Sequence, residues 1–169
     1  MGNYNQYIQE KPISPDITST RQYGRTKYGV GINLEQELSE GIGFFARASC
    51  NDGRNETWVF TEIDRSVSAG LSLKGTRWKR VNDVMGIGTV MSGLSAQHQN
   101  YLSAGGYGFI IGDGKLNYGM ESVTEIYYKA NVFSESFYIT PNYQFAYHPA
   151  YNKNRGPAHL IGVRAHIEF

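Results

Sequence analysis

The residues best suited to chemistry lie in one short run and on several extended segments. Trp58, Phe60, Glu62 and Asp64 alternate, so an extended backbone turns two aromatic rings and two carboxylates to one side. An aromatic face stacks on the C–H face of a sugar ring while flanking carboxylates take its hydroxyls. The same rings could instead anchor a loop folded across a channel mouth, and both readings stand. Arg47, Glu125, Tyr127, Lys129 and Arg164 are the other candidates, each on the polar side of an alternating segment. Their mixed signs fit a wall that meets neutral solutes, since a pore for anions should show rings of one sign. For each of them the competing reading is a charge network that stiffens the wall.

Other chemistries find little support. His98, His148, His159 and His166 have no metal-ligand spacing, and the single cysteine, Cys50, excludes a disulfide framework within the chain. The run from Asn51 to Glu56 faintly resembles part of a calcium loop but reads better as a turn between strands. Gly105-Gly106 and Gly112-Asp113-Gly114 are not followed by the helix start and lysine of a phosphate loop. Serine, histidine and aspartate are present but nothing groups them. No catalytic residue, metal or cofactor is expected. With 16 Lys+Arg against 15 Asp+Glu, the formal charge is +1, which argues against a nucleic-acid partner.

The elements that position these residues must be strands. The chain has 169 residues, 40% of them hydrophobic, with a mean hydropathy of −0.44. No apolar run approaches the roughly 18 residues of a membrane-spanning helix. Twenty glycines, 13 tyrosines, 8 phenylalanines and 2 tryptophans suit a transmembrane β-barrel as well as a soluble β-protein. Periodicity favours the first. Ile161, Val163, Ala165, Ile167 and Phe169 alternate with Gly162, Arg164, His166 and Glu168, a strand with one apolar and one wet face. The same period of two runs through Tyr28–Glu35, Ile42–Ser49, Ser66–Leu73, Met85–Ser92, Glu125–Val132 and Phe137–His148. Counting them gives seven strands and no long helix, with one helical stretch, Ser95–Ala104, inside a connection. The run holding Trp58 and Asp64 reads as the start of the third strand. Arg65 then falls on the apolar face, which a bulge or a position above the lipid would tolerate.

The connections alternate in length. Short turns lie near Ser39-Glu40-Gly41, Gly75-Thr76 and Ser134-Glu135; longer polar loops lie at Asn51–Thr57, Gly93–Tyr118 and Pro149–Pro157. Outer-membrane barrels pair short periplasmic turns with long external loops. Residues 1–27 are then an external loop or a truncated lead-in, and 28–169 the C-terminal part of one barrel domain. Pro141 interrupts a ladder, and a bulge near the periplasmic turn is expected to absorb it. Seven strands would leave two edges in lipid, where each unpaired backbone group costs several kcal/mol. With no signal peptide at the start, this points to a piece of a larger barrel whose N-terminal strands lie elsewhere, and to an open sheet.

The runs Gly31–Gln36, Asn51–Trp58, Thr61–Arg65, Lys74–Trp78, Phe109–Gly114 and Pro149–Gly156 together resemble the bacterial carbohydrate-selective porin family, OprB type. The resemblance covers the chain from about Gly24 onward. It implies an outer-membrane barrel of about sixteen strands, admitting small neutral sugars by passive diffusion and surrounded by outer-membrane lipid. It also casts Ile161, Val163, Ala165, Ile167 and Phe169 as the signal read by the outer-membrane assembly machinery. Two alternatives remain: a small self-standing outer-membrane barrel with a structural or adhesive role, and a soluble β-barrel binding an apolar ligand inside.

Overall fold

The computed structural model describes residues 1–10, 16–57, 62–133 and 136–168. Seven antiparallel strands form one sheet in chain order: β1 (Gly29–Ser39), β2 (Ile42–Asn51), β3 (Arg65–Lys74), β4 (Val84–Gly93), β5 (Glu121–Asn131), β6 (Phe137–Tyr147) and β7 (Ala158–Ile167). Each strand pairs with its sequence neighbour, and β1 and β7 remain the two edges. The open, all-β arrangement is the one the alternation demands.

Register carries each face across the sheet. Phe44, Leu71, Ile87, Ile126, Tyr143 and Ile161 follow one another in a single cross-strand row. Four residues further along each strand, the row Ile32–Ala48–Val67–Met91 continues the same apolar surface. The opposite face carries the row Glu35–Phe45–Gly70–Gly88–Glu125–Gln144. A one-residue slip would exchange the faces of a whole strand, so this register is strongly specified.

Two irregularities differ from expectation. The one bulge between β1 and β2 lies at Glu37/Ser39. At Pro141 the β5–β6 ladder skips Tyr128 and Lys129 and resumes in the same register, with no bulge. Proline lacks the N–H that such a pair needs, and a gap is sufficient. The connection between β3 and β4 is also longer than a tight turn. Residues 75–83 contain a 3-10 turn, Gly75–Trp78, and are organised by buried Asp83, which accepts from Arg80, the Tyr128 hydroxyl and the Asn131 N–H. The β5–β6 turn at Ser134-Glu135 lies outside the described residues.

The hydrophobic core sits at the end of the sheet that carries the long loops, and the sheet faces contribute little to it. Helix α1 (Tyr4–Glu10), a 3-10 turn at Ile17–Thr20 and helix α2 (Ala96–Ser103) pack together there. Tyr4, Tyr7, Ile17, Leu94, Tyr101, Leu102, Ile111, Leu116 and Tyr151 form the cluster. Ser95 caps α2 by accepting the His98 N–H.

Candidate functional site: the polar face and its loop cap

The polar face is shaped by glycines beneath large rings. A Cβ at Gly70 would lie 2.4 Å from the Phe45 ring, and one at Gly86 would lie 2.4 Å from that of Tyr127. Only the missing side chains let both rings lie against the wall. Arg47 passes over Phe45 at 5.4 Å, donates from Nε to Asn33 Oδ1 at 2.9 Å, and pairs with Glu35 at 3.1 Å. Glu125 accepts from Asn142 Nδ2 at 2.9 Å. Lys129 pairs with Glu168 at 2.9 Å and lies 3.8 Å over the Tyr138 ring. Arg164, opposite Thr140 on β7, has no hydrogen bond or ion pair among the described residues. Of these candidates, Arg47, Glu125 and Tyr127 line one depression of about 450 Å³ together with Phe45, while Lys129 and Arg164 lie outside it.

Glu62 and Asp64 are placed differently from the expected strand. β3 begins at Arg65, so both carboxylates precede it and are buried in the loop cap, each 3% exposed. Glu62 Oε2 accepts the N–H groups of Ile110 (2.8 Å) and Ile111 (3.0 Å). Asp64 Oδ2 accepts the Ser95 N–H at 2.9 Å and meets His98 Nδ1 at 3.0 Å; Oδ1 is 3.4 Å from Lys27 Nζ. These main-chain donors belong to the loop between β4 and β5, and extended pairing ends where the side chains turn to satisfy them. Trp58 and Phe60 lie outside the described residues, as does Phe169. Ile161, Val163, Ala165 and Ile167 occupy the apolar face of edge strand β7.

His98 ties the cap together, a role that spacing could not reveal. It is 1% exposed, stacks on Tyr4 at 4.4 Å between ring centroids, and sits between the two carboxylates. Its Nε2 lies 3.8 Å from Glu62 Oε1 and makes no hydrogen bond among the described residues. Burial pushes the Asp64 carboxyl up, but the hydrogen bonds from His98 and the Ser95 N–H, with the charges of His98 and Lys27, outweigh it and hold the group at about 2. A second anchor joins the N-terminal residues: Glu56 accepts the Gly2 N–H at 2.7 Å and pairs with Arg21 at 2.6 Å. The one local signal for this cap is Ser95, a good N-cap residue three positions before His98.

The site therefore has two parts, a polar wall of mixed charges with rings laid over glycines, and a cap of loops held by buried carboxylates. A family model for carbohydrate-selective porins, OprB family, matches residues 2–169. No curated protein matches the sequence. Among solved structures, the chain is similar to the high-pH structure of Pseudomonas putida OprB, with a TM-score of 0.64 and 18% identity over 83% of this chain. It spans 34% of that chain's length, and at this identity the likeness concerns the fold alone. The family match extends over nearly every residue, through both the wall and the cap, and the chain belongs to the OprB family of carbohydrate-selective porins.

Proposed function

We propose that this chain supplies part of the wall and mouth of a water-filled outer-membrane channel through which small neutral sugars diffuse passively. One observation carries the reading: a polar face of mixed charges and rings backs directly onto an apolar face that none of the described residues covers. Val30, Ile32, Ile161 and Val163 are each more than 70% exposed, which suits lipid on that side and water on the other. A soluble barrel with an apolar interior would instead bury them. Residues 28–169 then form the C-terminal portion of a barrel of about sixteen strands, and residues 1–27 part of its external loops, with the missing strands meeting both edges.

Arg47, Glu125 and Tyr127 are the foremost solute contacts, with Lys129 and Arg164 further along the wall. Glu62 and Asp64 hold the mouth's loops in place. Trp58 and Phe60 remain candidates for a sugar-stacking platform. The alternating residues Ile161, Val163, Ala165, Ile167 and Phe169 serve the outer-membrane assembly machinery. Liposome swelling with the complete protein tests the transport reading: neutral sugars are expected to enter faster than charged solutes of similar size, and equal rates would remove the selectivity.

A further inference from the structure

We propose that the apolar face across β1–β4 holds a docking site for a phosphate-bearing membrane lipid, with an acyl chain in a groove and the phosphate on Arg65. The inference rests on the outer-membrane reading above but concerns the outside of the wall, away from any solute path. The groove, about 670 Å³, follows from side-chain sizes in register. Small Ala48 and Cys50 on β2 form its floor; Val30 and Ile32 flank it on β1, Val67 and Met91 on β3 and β4. A linear hydrocarbon chain fits such a furrow.

Arg65 stands at its head. It pairs in regular register with Cys50 and Gly93, so its side chain stays on the apolar face with no bulge to turn it inward. Among the described residues it makes no hydrogen bond and no ion pair. Arg21, Lys27 and Arg155, at the same end of the molecule, hold Glu56, Asp64 and Asp113 respectively. A Cβ on Gly93 would lie 2.9 Å from Arg65 Nε and 3.0 Å from Tyr118 Oη, so a guanidinium and a hydroxyl converge over that glycine. An unpaired arginine on a lipid-facing surface is costly near the midplane and tolerable near the interface. Arg65 is the first residue of its strand at the loop end, where phosphates of lipid headgroups lie. A guanidinium matches phosphate through paired, charge-assisted hydrogen bonds.

Cys50, the single thiol of the chain, reports on occupancy because it lines the groove. The protein is folded in dodecyl maltoside micelles containing dimyristoyl phosphatidic acid or dimyristoyl glycerol, or with inorganic phosphate alone, and Cys50 is modified with a water-soluble maleimide. Phosphatidic acid should slow modification about tenfold relative to the glycerol lipid, the scale of one charge-assisted hydrogen bond. Inorganic phosphate alone should leave the rate unchanged. Arg65→Gln should erase the difference between the lipids, and so should Ala48→Phe, which fills the furrow while keeping Arg65. Equal protection by both lipids, protection by inorganic phosphate alone, or a difference that survives in either variant overturns the proposal. Heat-modifiable migration of the same samples separates this failure from failure of the membrane reading.

Discussion

Replacing Asp64 with asparagine keeps the side chain's size and removes the charge that His98, Lys27 and the Ser95 N–H converge on. The carboxyl is held at about 2 against the usual 3.8. At about 1.36 kcal/mol per unit, the ionised form contributes roughly 2.5 kcal/mol to the folded cap. Because the folded value is depressed, this contribution is fully present above about pH 4 and is lost as pH falls towards 2. Asp64→Asn forfeits it at every pH. Hydrogen exchange of the α2 amides, corrected for the intrinsic pH dependence, reads the effect locally. At pH 6 the variant's α2 amides should exchange faster by about thirtyfold, the equivalent of about 2 kcal/mol. Between pH 4 and 2 the native protein should lose that protection while the variant stays flat. Unchanged exchange in the variant at pH 6, or parallel acid loosening in both proteins, would refute the argument that this charge holds the cap.

Three further expectations follow from the wall and its turn. Gly86→Ala should lift the Tyr127 ring away from the sheet and lower single-channel conductance in planar bilayers, with the barrel still folded, because only the tip of a side chain must move. Arg164→Gln should shift the ratio of anion to cation permeability more than Arg47→Gln, since Arg47 is already neutralised by Glu35; reversal potentials in a salt gradient measure both. Asp83→Ala should cost about 1–3 kcal/mol by orphaning Arg80, Tyr128 and the Asn131 N–H, read as a lower temperature of heat modification on gels.

The strands and their faces were legible because a period of two is local: each residue declares its side by its neighbours, and seven segments did so. The wall candidates followed from the same parity, and Arg47, Glu125 and Tyr127 do line one depression. The cap was illegible for the opposite reason. Glu62 and Asp64 continue the alternation of β3, so parity alone extends the strand through them. What ends it is main-chain N–H groups more than thirty residues away, and backbone donors leave no mark in side-chain identity. The N-terminal residues carry no period, and Tyr4, Tyr7 and Ile17 become core only through partners such as Tyr101 and Leu102. His98 lacked a readable spacing because its partners, the Glu62 and Asp64 carboxylates, lie more than thirty residues away in the chain.

The strictly sequential pairing has a consequence for how such walls change size. Among the described residues each strand is bonded only to its neighbours in the chain, and successive strands run in opposite directions. Adding or losing one strand would reverse every strand beyond it and send long loops to the wrong side of the membrane. Adding or losing two leaves direction, loop placement and the apolar face intact. The heritable unit of this architecture is therefore the hairpin, and barrels built this way widen or narrow in steps of two.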